Sequence, residues 1–177
     1  MNLPYTTDDL PTVFEDGYTS DQQVCQVEIG EYEVTDSGDR HVAYRLGSCV
    51  GVALYDQKAR VAGLIHIKRP TTPTGTECNR AAFADTGIRM LFDQMRTHGA
   101  TAHHTEATVA GGIDTGGAAL AVDMNIGQQN IRQARQTLDA LDIPISESAV
   151  GGDEMMSVYF DGETGEVSFE TNSTDRE

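Results

Sequence analysis

Lysine is nearly absent from this 177-residue chain. Lys58 and Lys68 are the only two among 12 basic residues, against 28 acids, for a formal net charge of −16. So little positive charge excludes sequence-independent nucleic-acid binding, which depends on Lys and Arg neutralising phosphates. Long hydrophobic runs are missing too: no stretch approaches the roughly 20 apolar residues that cross a bilayer, so membrane insertion is not expected. The opening segment, MNLPYTTDDLPTVFEDG, lacks the basic and apolar regions of a secretory signal. Cysteine is scarce. Cys25, Cys49 and Cys78 form no CxxC pair, and an odd number at irregular spacing makes a poor disulfide framework. Combined with His41, His66, His98, His103 and His104 they match no usual zinc spacing, so no metal is expected. These absences together predict a cytoplasmic, soluble protein with reduced thiols.

The length suits one domain, and 38% hydrophobic residues suffice for a packed core. The acids run through the whole chain rather than gathering in a tail. Dense carboxylates with almost no lysine suit a protein whose self-repulsion is screened by concentrated salt, where the Debye length shrinks to about 3 Å at 1 M. A halophilic cytoplasm is therefore expected. An ordinary acidic protein is the alternative, and it would fold fully at low salt.

Residues 1–23 carry Pro4 and Pro11, show no sustained period and read as an extended, flexible arm; 171–177 read as a disordered tail. Between them, Val24–Val34 reads as one strand. Val42–Tyr55 and Val61–Ile67 are apolar and β-branched around the polar DQKAR, which predicts a hairpin. RPTTPTGTECNR (69–80) is a loop by composition. Phe83, Met90, Leu91 and Met95 recur near helical spacing in 81–98, with Gly99 as the C-terminal stop. Thr105–Ala110 reads as a strand entering GGIDTGG. Asn125 is placed to cap a second helix with Ile131, Ala134, Leu138 and Leu141 on one face, stopped by Pro144. Strands 145–150, 157–161 and 166–170 follow. The fold class is α/β: a single domain, mixed β-sheets and about two main helices. GGIDTGG lacks the Lys and Ser/Thr of a phosphate loop and is expected to be a structural or substrate-groove turn. His103 and His104, if on a strand, would point to opposite sides.

Cys49 and His66 form the sharpest chemical pair. A hairpin centred between Gln57 and Lys58 would put them directly opposite each other on one face, with Cβ atoms about 4.5–5.5 Å apart. A one-residue slip would separate them. Gly47 permits a sharp backbone path, and the 47–49 turn could aim N–H groups at a developing oxyanion, making Gly47 and Ser48 site-shaping candidates. An imidazolium beside the thiol would favour thiolate and hence acyl transfer through a thioester. The plainer readings are a small core cysteine and a hydrogen-bonded core histidine.

The run RLGSCVGVALYDQKARVAGLIHIKRP (45–70) closely resembles the heart of the CheD family, the chemoreceptor glutamine deamidases of bacterial and archaeal chemotaxis. Gly47-Ser48-Cys49-Val50 matches its G-S-C-V element, and Gly63, His66 and Pro70 its G-x-x-H-x-x-x-P pattern. IGEYEV (29–34), FADTGI (83–88), VAGGI (109–113), NIGQQNI (125–131), the pair Gly151-Gly152 with Ser157-Val158, and GETGEV (162–167) resemble further family motifs in order. The resemblance spans about 24–170.

It implies a CheD-like domain with a papain-like site. Cys49 would be the nucleophile and His66 the base and later acid, with no cofactor. The substrates would be selected Gln side chains of chemoreceptors, the methyl-accepting chemotaxis proteins, with methyl-ester hydrolysis as a related activity. A CheC-type phosphatase of phosphorylated CheY would be a partner, and the salt-adapted composition would fit a halophilic archaeon. Two positions depart from the pattern. The family's third catalytic residue, a Thr six positions before the Cys, is Ala43 here, and the basic residues expected after Gly151-Gly152 are replaced by Asp153-Glu154-Met155-Met156. A backbone carbonyl could orient the imidazole in place of the missing hydroxyl. The departures leave two other readings open: a largely non-catalytic module regulating the phosphatase or a receptor, and a thiol-based sensor.

Overall fold

Alternating apolar residues build two mixed sheets, and two amphipathic helices cover one of them. The computed structural model describes residues 24–113 and 125–171. The elements in order are β1 (Val24–Gln26), β2 (Tyr32–Thr35), β3 (Arg40–Leu46), β4 (Val50–Asp56), β5 (Val61–Ile67), α1 (Ala84–Arg96), β6 (Thr105–Gly111), α2 (Ile126–Ala140), β7 (Ile145–Val150), β8 (Met156–Asp161) and β9 (Val167–Thr171). One sheet has the order β1-β3-β8-β9 and the other β2-β5-β4-β6-β7. The expected arm (1–23), residues 114–124 with most of GGIDTGG, and residues 172–177 lie outside the described residues.

The five-stranded sheet is buried on both faces. Val50, Val52, Leu54, Ile65 and Ile67 meet Ile88, Leu91 and Met95 of α1 and Ile131, Ala134 and Leu138 of α2. The opposite face, with Ala53, Ala62 and Leu64, packs on Ala43, Leu46, Val158 and Phe160 of the four-stranded sheet. Three layers result: helices, five strands, four strands. Each buried Leu, Ile or Phe contributes roughly 1.5–3 kcal/mol.

Helix ends follow local chemistry. Asn125 Oδ1 accepts from the Gln128 N–H at 2.9 Å, the expected cap. At the end of α1, Gly99 takes φ +96° while its N–H bonds to the Arg96 carbonyl and that of Ala100 to the Met95 carbonyl, a Schellman closure. The first expected helix begins later than its periodicity suggests: Arg80–Ala82 forms a 3₁₀ turn, and α1 starts at Ala84.

Two expected strands are each broken. Val24–Val34 splits into β1 and β2, which belong to different sheets, because the chain turns at Gly30 with φ +80°. Val42–Tyr55 likewise splits into β3 and β4 at residues 47–49, preceded by a bulge between Ala43 and Leu46 where Arg45 takes φ 54°. Both segments pass from one sheet to the other. His103 and His104 lie on a short 3₁₀ turn, not a strand, and their rings meet edge to face at 4.9 Å between centroids.

Candidate functional site

Cys49 sits at the corner where the chain crosses between sheets, immediately before β4, and His66 lies near the end of β5. The two strands pair as an antiparallel hairpin, as the sequence suggests, but in a different register. Gly51, not Cys49, stands opposite His66, and Asp56 stands opposite Val61. The turn is responsible. Asp56 Oδ1 accepts from the Lys58 and Ala59 N–H groups, and Arg60 closes the loop at φ 56°, so four residues (57–60) lie outside the strands. Cys49 therefore precedes the paired residues of β4 by one position, and continuing the ladder to it would set it diagonal to His66, a relationship that spans about 7–8 Å between Cα atoms. Parity is preserved: Cys49 and Gly51 are two apart, so strand alternation keeps Cys49 on the side of His66.

The imidazole is buried, and its orientation is set from the N-terminal segment. Its Nδ1 lies 3.2 Å from the Val27 carbonyl oxygen. A carbonyl only accepts, so Nδ1 carries the proton and Nε2 holds the basic lone pair. Nε2 is buried and has no hydrogen-bond partner among the described residues. The backbone of His66 is held by the same segment: its carbonyl accepts from the Gly30 N–H at 2.8 Å, and its N–H donates to the Glu31 carbonyl at 3.1 Å.

The cysteine corner is fastened on two sides. The Gly112 N–H donates to the Cys49 carbonyl at 2.8 Å, and the Ile113 N–H to the Gly47 carbonyl at 2.9 Å. Gly111 and Gly112 take φ +91° and +67°, so the start of the glycine-rich segment shapes the site. From α2, the Asn130 side-chain amide donates to the Ser48 carbonyl at 2.8 Å and the Lys68 carbonyl at 3.0 Å. Arg45 N–H meets Ser157 Oγ at 3.2 Å.

Burial dominates the electrostatics. It pushes the Cys49 thiol above its ordinary value, opposed by the charge of Lys68, and pulls His66 below the usual imidazole range, opposed by the Val27 hydrogen bond. The resting pair is thus a neutral thiol and a neutral imidazole, in place of the thiolate expected from an adjacent imidazolium. Ala43 is fully buried on β3 opposite Val158 and offers no hydroxyl. The other thiols are apart from this arrangement: Cys25 is half-buried in β1, and Cys78 is exposed in the 69–80 loop. Among the described residues no three His, Cys, Asp or Glu gather as a metal site.

Sequence reasoning missed Val27 and Asn130. Nothing local marks Val27, whose part is played by its backbone. Asn130 did carry a signal: it lies on the same helical stripe as Gly127, Ile131, Ala134 and Leu138, a polar residue in a buried face.

The match to the family described as CheD chemotactic sensory transduction covers residues 68–171, more than half of the chain. The chain belongs to the CheD family. It is 37% identical over 153 residues to the probable chemoreceptor glutamine deamidase CheD of Haloarcula marismortui, covering 85% of this chain and 86% of that one. It is 40% identical over 129 residues to the chemoreceptor glutamine deamidase CheD of Halalkalibacterium halodurans, covering 71% and 80%. A solved structure, the hypothetical protein YfiH of Bacillus licheniformis, is similar at a TM-score of 0.43 with 15% identity, covering 67% of this chain and 49% of that one. The family match begins two residues after His66, so Cys49 and His66 are placed by geometry and motif and not by that match. No helix among the described residues is long and apolar enough to cross a membrane.

Proposed function

We propose that this CheD-family protein is a cytoplasmic chemoreceptor glutamine deamidase in which Cys49 is the nucleophile and His66 the general base. The observation that carries this reading is the Nδ1–H bond from His66 to the Val27 carbonyl, which leaves Nε2 basic and without a partner among the described residues. Sγ attacks the side-chain amide carbon of a receptor Gln as its proton passes to Nε2. The Gly47–Cys49 corner faces the resulting oxyanion. Collapse expels ammonia with the proton from His66 and leaves a glutamyl thioester. Water, deprotonated by His66, then attacks, and the departing sulfur recovers the proton as Glu forms. Relatives that bear the name chemoreceptor glutamine deamidase support the substrate class. A CheC-type phosphatase is the proposed partner.

The test is incubation with a cognate receptor fragment in high salt, followed by peptide mass analysis. Each converted Gln gains about 1 Da as NH₂ becomes OH, and Cys49→Ala gives no gain. No mass change with folded wild-type protein would refute the activity; turnover by Cys49→Ala would refute the nucleophile.

A second reading, a binding module with little catalysis, is favoured by Ala43 and by the acids at 153–154. It predicts phosphatase or receptor binding without any mass change.

A further inference from the structure

Asn130 is fully buried in α2, yet it is polar and belongs to neither strand of the proposed catalytic pair. Its amide nitrogen bridges two carbonyls from segments that are distant in sequence. Ser48 lies beside the nucleophile, and Lys68 lies two residues beyond the base. Both neighbours accept only, so the NH₂ end must face them and Oδ1 must point away. Oδ1 is buried without a hydrogen-bond partner among the described residues. An orphaned acceptor is a cost to the fold, and such costs concentrate where geometry serves function.

We propose that Asn130 is a positioning residue, a clamp that locks the Ser48–Cys49 peptide to the end of β5. The consequence follows from peptide geometry. The Ser48–Cys49 peptide is trans, so the Ser48 carbonyl and the Cys49 N–H point in opposite directions across one plane. Holding the carbonyl against Asn130 turns the Cys49 N–H away from the clamp. There it has no protein hydrogen-bond partner among the described residues and is available to a developing oxyanion. The same clamp fixes the spacing of the thiol and His66, because Lys68 O continues the strand that carries the imidazole. Asn130 touches neither substrate nor reacting atoms; it acts through the peptide it holds.

This inference rests on the deamidase reading for its activity arm, and a second arm is independent of it. Asn130→Asp keeps the shape and removes both donors. With a receptor fragment, kcat is expected to fall about 10²-fold with KM unchanged. The half-buried Cys49 thiol, freed from its fixed corner, is expected to react severalfold faster with iodoacetamide, while Cys25 and Cys78 keep their rates. General loosening of α2 would also slow catalysis and expose the thiol, so a destabilised variant outside the clamp must be measured beside it. Leu138→Ala, in the same helix but outside the clamp, supplies that comparison. If Asn130→Asp does not melt cooperatively, Asn130→Ser carries the same test with an intermediate loss. A kcat within about threefold of wild type, unchanged Cys49 alkylation, or the same two changes in Leu138→Ala would overturn the clamp. A wild-type protein that converts no Gln overturns the deamidase reading instead, and the alkylation arm still decides whether Asn130 holds the corner.

Discussion

The Val27 carbonyl and the His66 Nδ1–H meet at 3.2 Å across 39 residues of sequence, and in the proposed mechanism that bond orients the imidazole in place of the threonine hydroxyl that the family resemblance leads one to expect. An orienting partner for a catalytic imidazole needs only to be an acceptor fixed in the right place. Here the place is fixed by β1, which pairs in parallel with β3, and by the Val27 N–H, which bonds to the Val42 carbonyl at 2.8 Å. Restoring a hydroxyl through Ala43→Thr is therefore expected to change kcat by less than about tenfold, since the position is already served. A gain of 10³-fold would show that the carbonyl is a poor substitute.

The pH profile should follow the burial of His66. Burial lowers its pKa below the usual 6.5, so more of the imidazole stays neutral and able to accept a proton than in a free histidine at the same acidic pH. The acid limb of kcat/KM is expected below pH 6.5, and direct alkylation of Cys49 should still be rising above pH 9, since its thiol is pushed above that value. A plateau of Cys49 alkylation near neutral pH would contradict the neutral resting pair.

Gly111 tests the fastening of the nucleophile. It sits at φ +91°, and a Cβ there would run into the Cys49 carbonyl and stand 3.0 Å from Leu46 Cβ. Gly111→Ala is expected to destabilise the fold by about 2–4 kcal/mol from left-handed strain and overpacking. It should also lower kcat more than Leu138→Ala does. Urea melts and deamidation rates on the same preparations measure both, and equal kcat losses in the two variants would remove Gly111 from the site.

Acid should destabilise the protein through His41. This histidine is buried between the sheets beside Phe160, and burial pulls its pKa to about 4. The unfolded chain binds a proton near pH 6.5 that the folded chain refuses. Stability is therefore complete above 6.5 and declines as pH falls toward 4, by up to about 3 kcal/mol. His66 titrates in the same direction. In His41→Phe the melting temperature should fall less between pH 7 and pH 4.5 than in wild type; parallel curves would assign the acid sensitivity elsewhere.

Salt should stabilise the fold. With a net charge of −16, raising KCl from 0.1 to 3 M is expected to raise the melting temperature, because the screening length falls from about 10 Å to 3 Å or less. A melting temperature unchanged over that range would mean that the acidic surface is an ordinary one.

Periodicity exposed most of the elements. The β4–β5 hairpin, both helices, the Asn125 cap and the Gly99 stop follow from spacing and end chemistry that act over a few residues. The register did not follow, because it was decided by Asp56, whose carboxylate gathers the N–H groups of Lys58 and Ala59 into a four-residue turn and also accepts from the distant Thr101 N–H. The breaks at Gly30 and at 47–49 were hidden for another reason: two strands in different sheets show the same alternation as one long strand. Cys49 and His66 stood out by residue type and motif. Val27 did not, because a backbone carbonyl leaves no trace in side-chain chemistry.

The bend at Gly30 ties the proposed working state of His66 to the docking of residues 24–31. The β4–β5 hairpin brings thiol and imidazole near each other through contacts that close only a short loop. The imidazole acquires its working tautomer only when residues 24–31 have docked across both sheets, a contact that closes a far longer one. A molecule whose first strand has come loose still carries both reactive side chains, but its histidine ring is free to turn. Under the proposed mechanism, loosening of residues 24–31 would therefore idle the chemistry while the β4–β5 hairpin still stands.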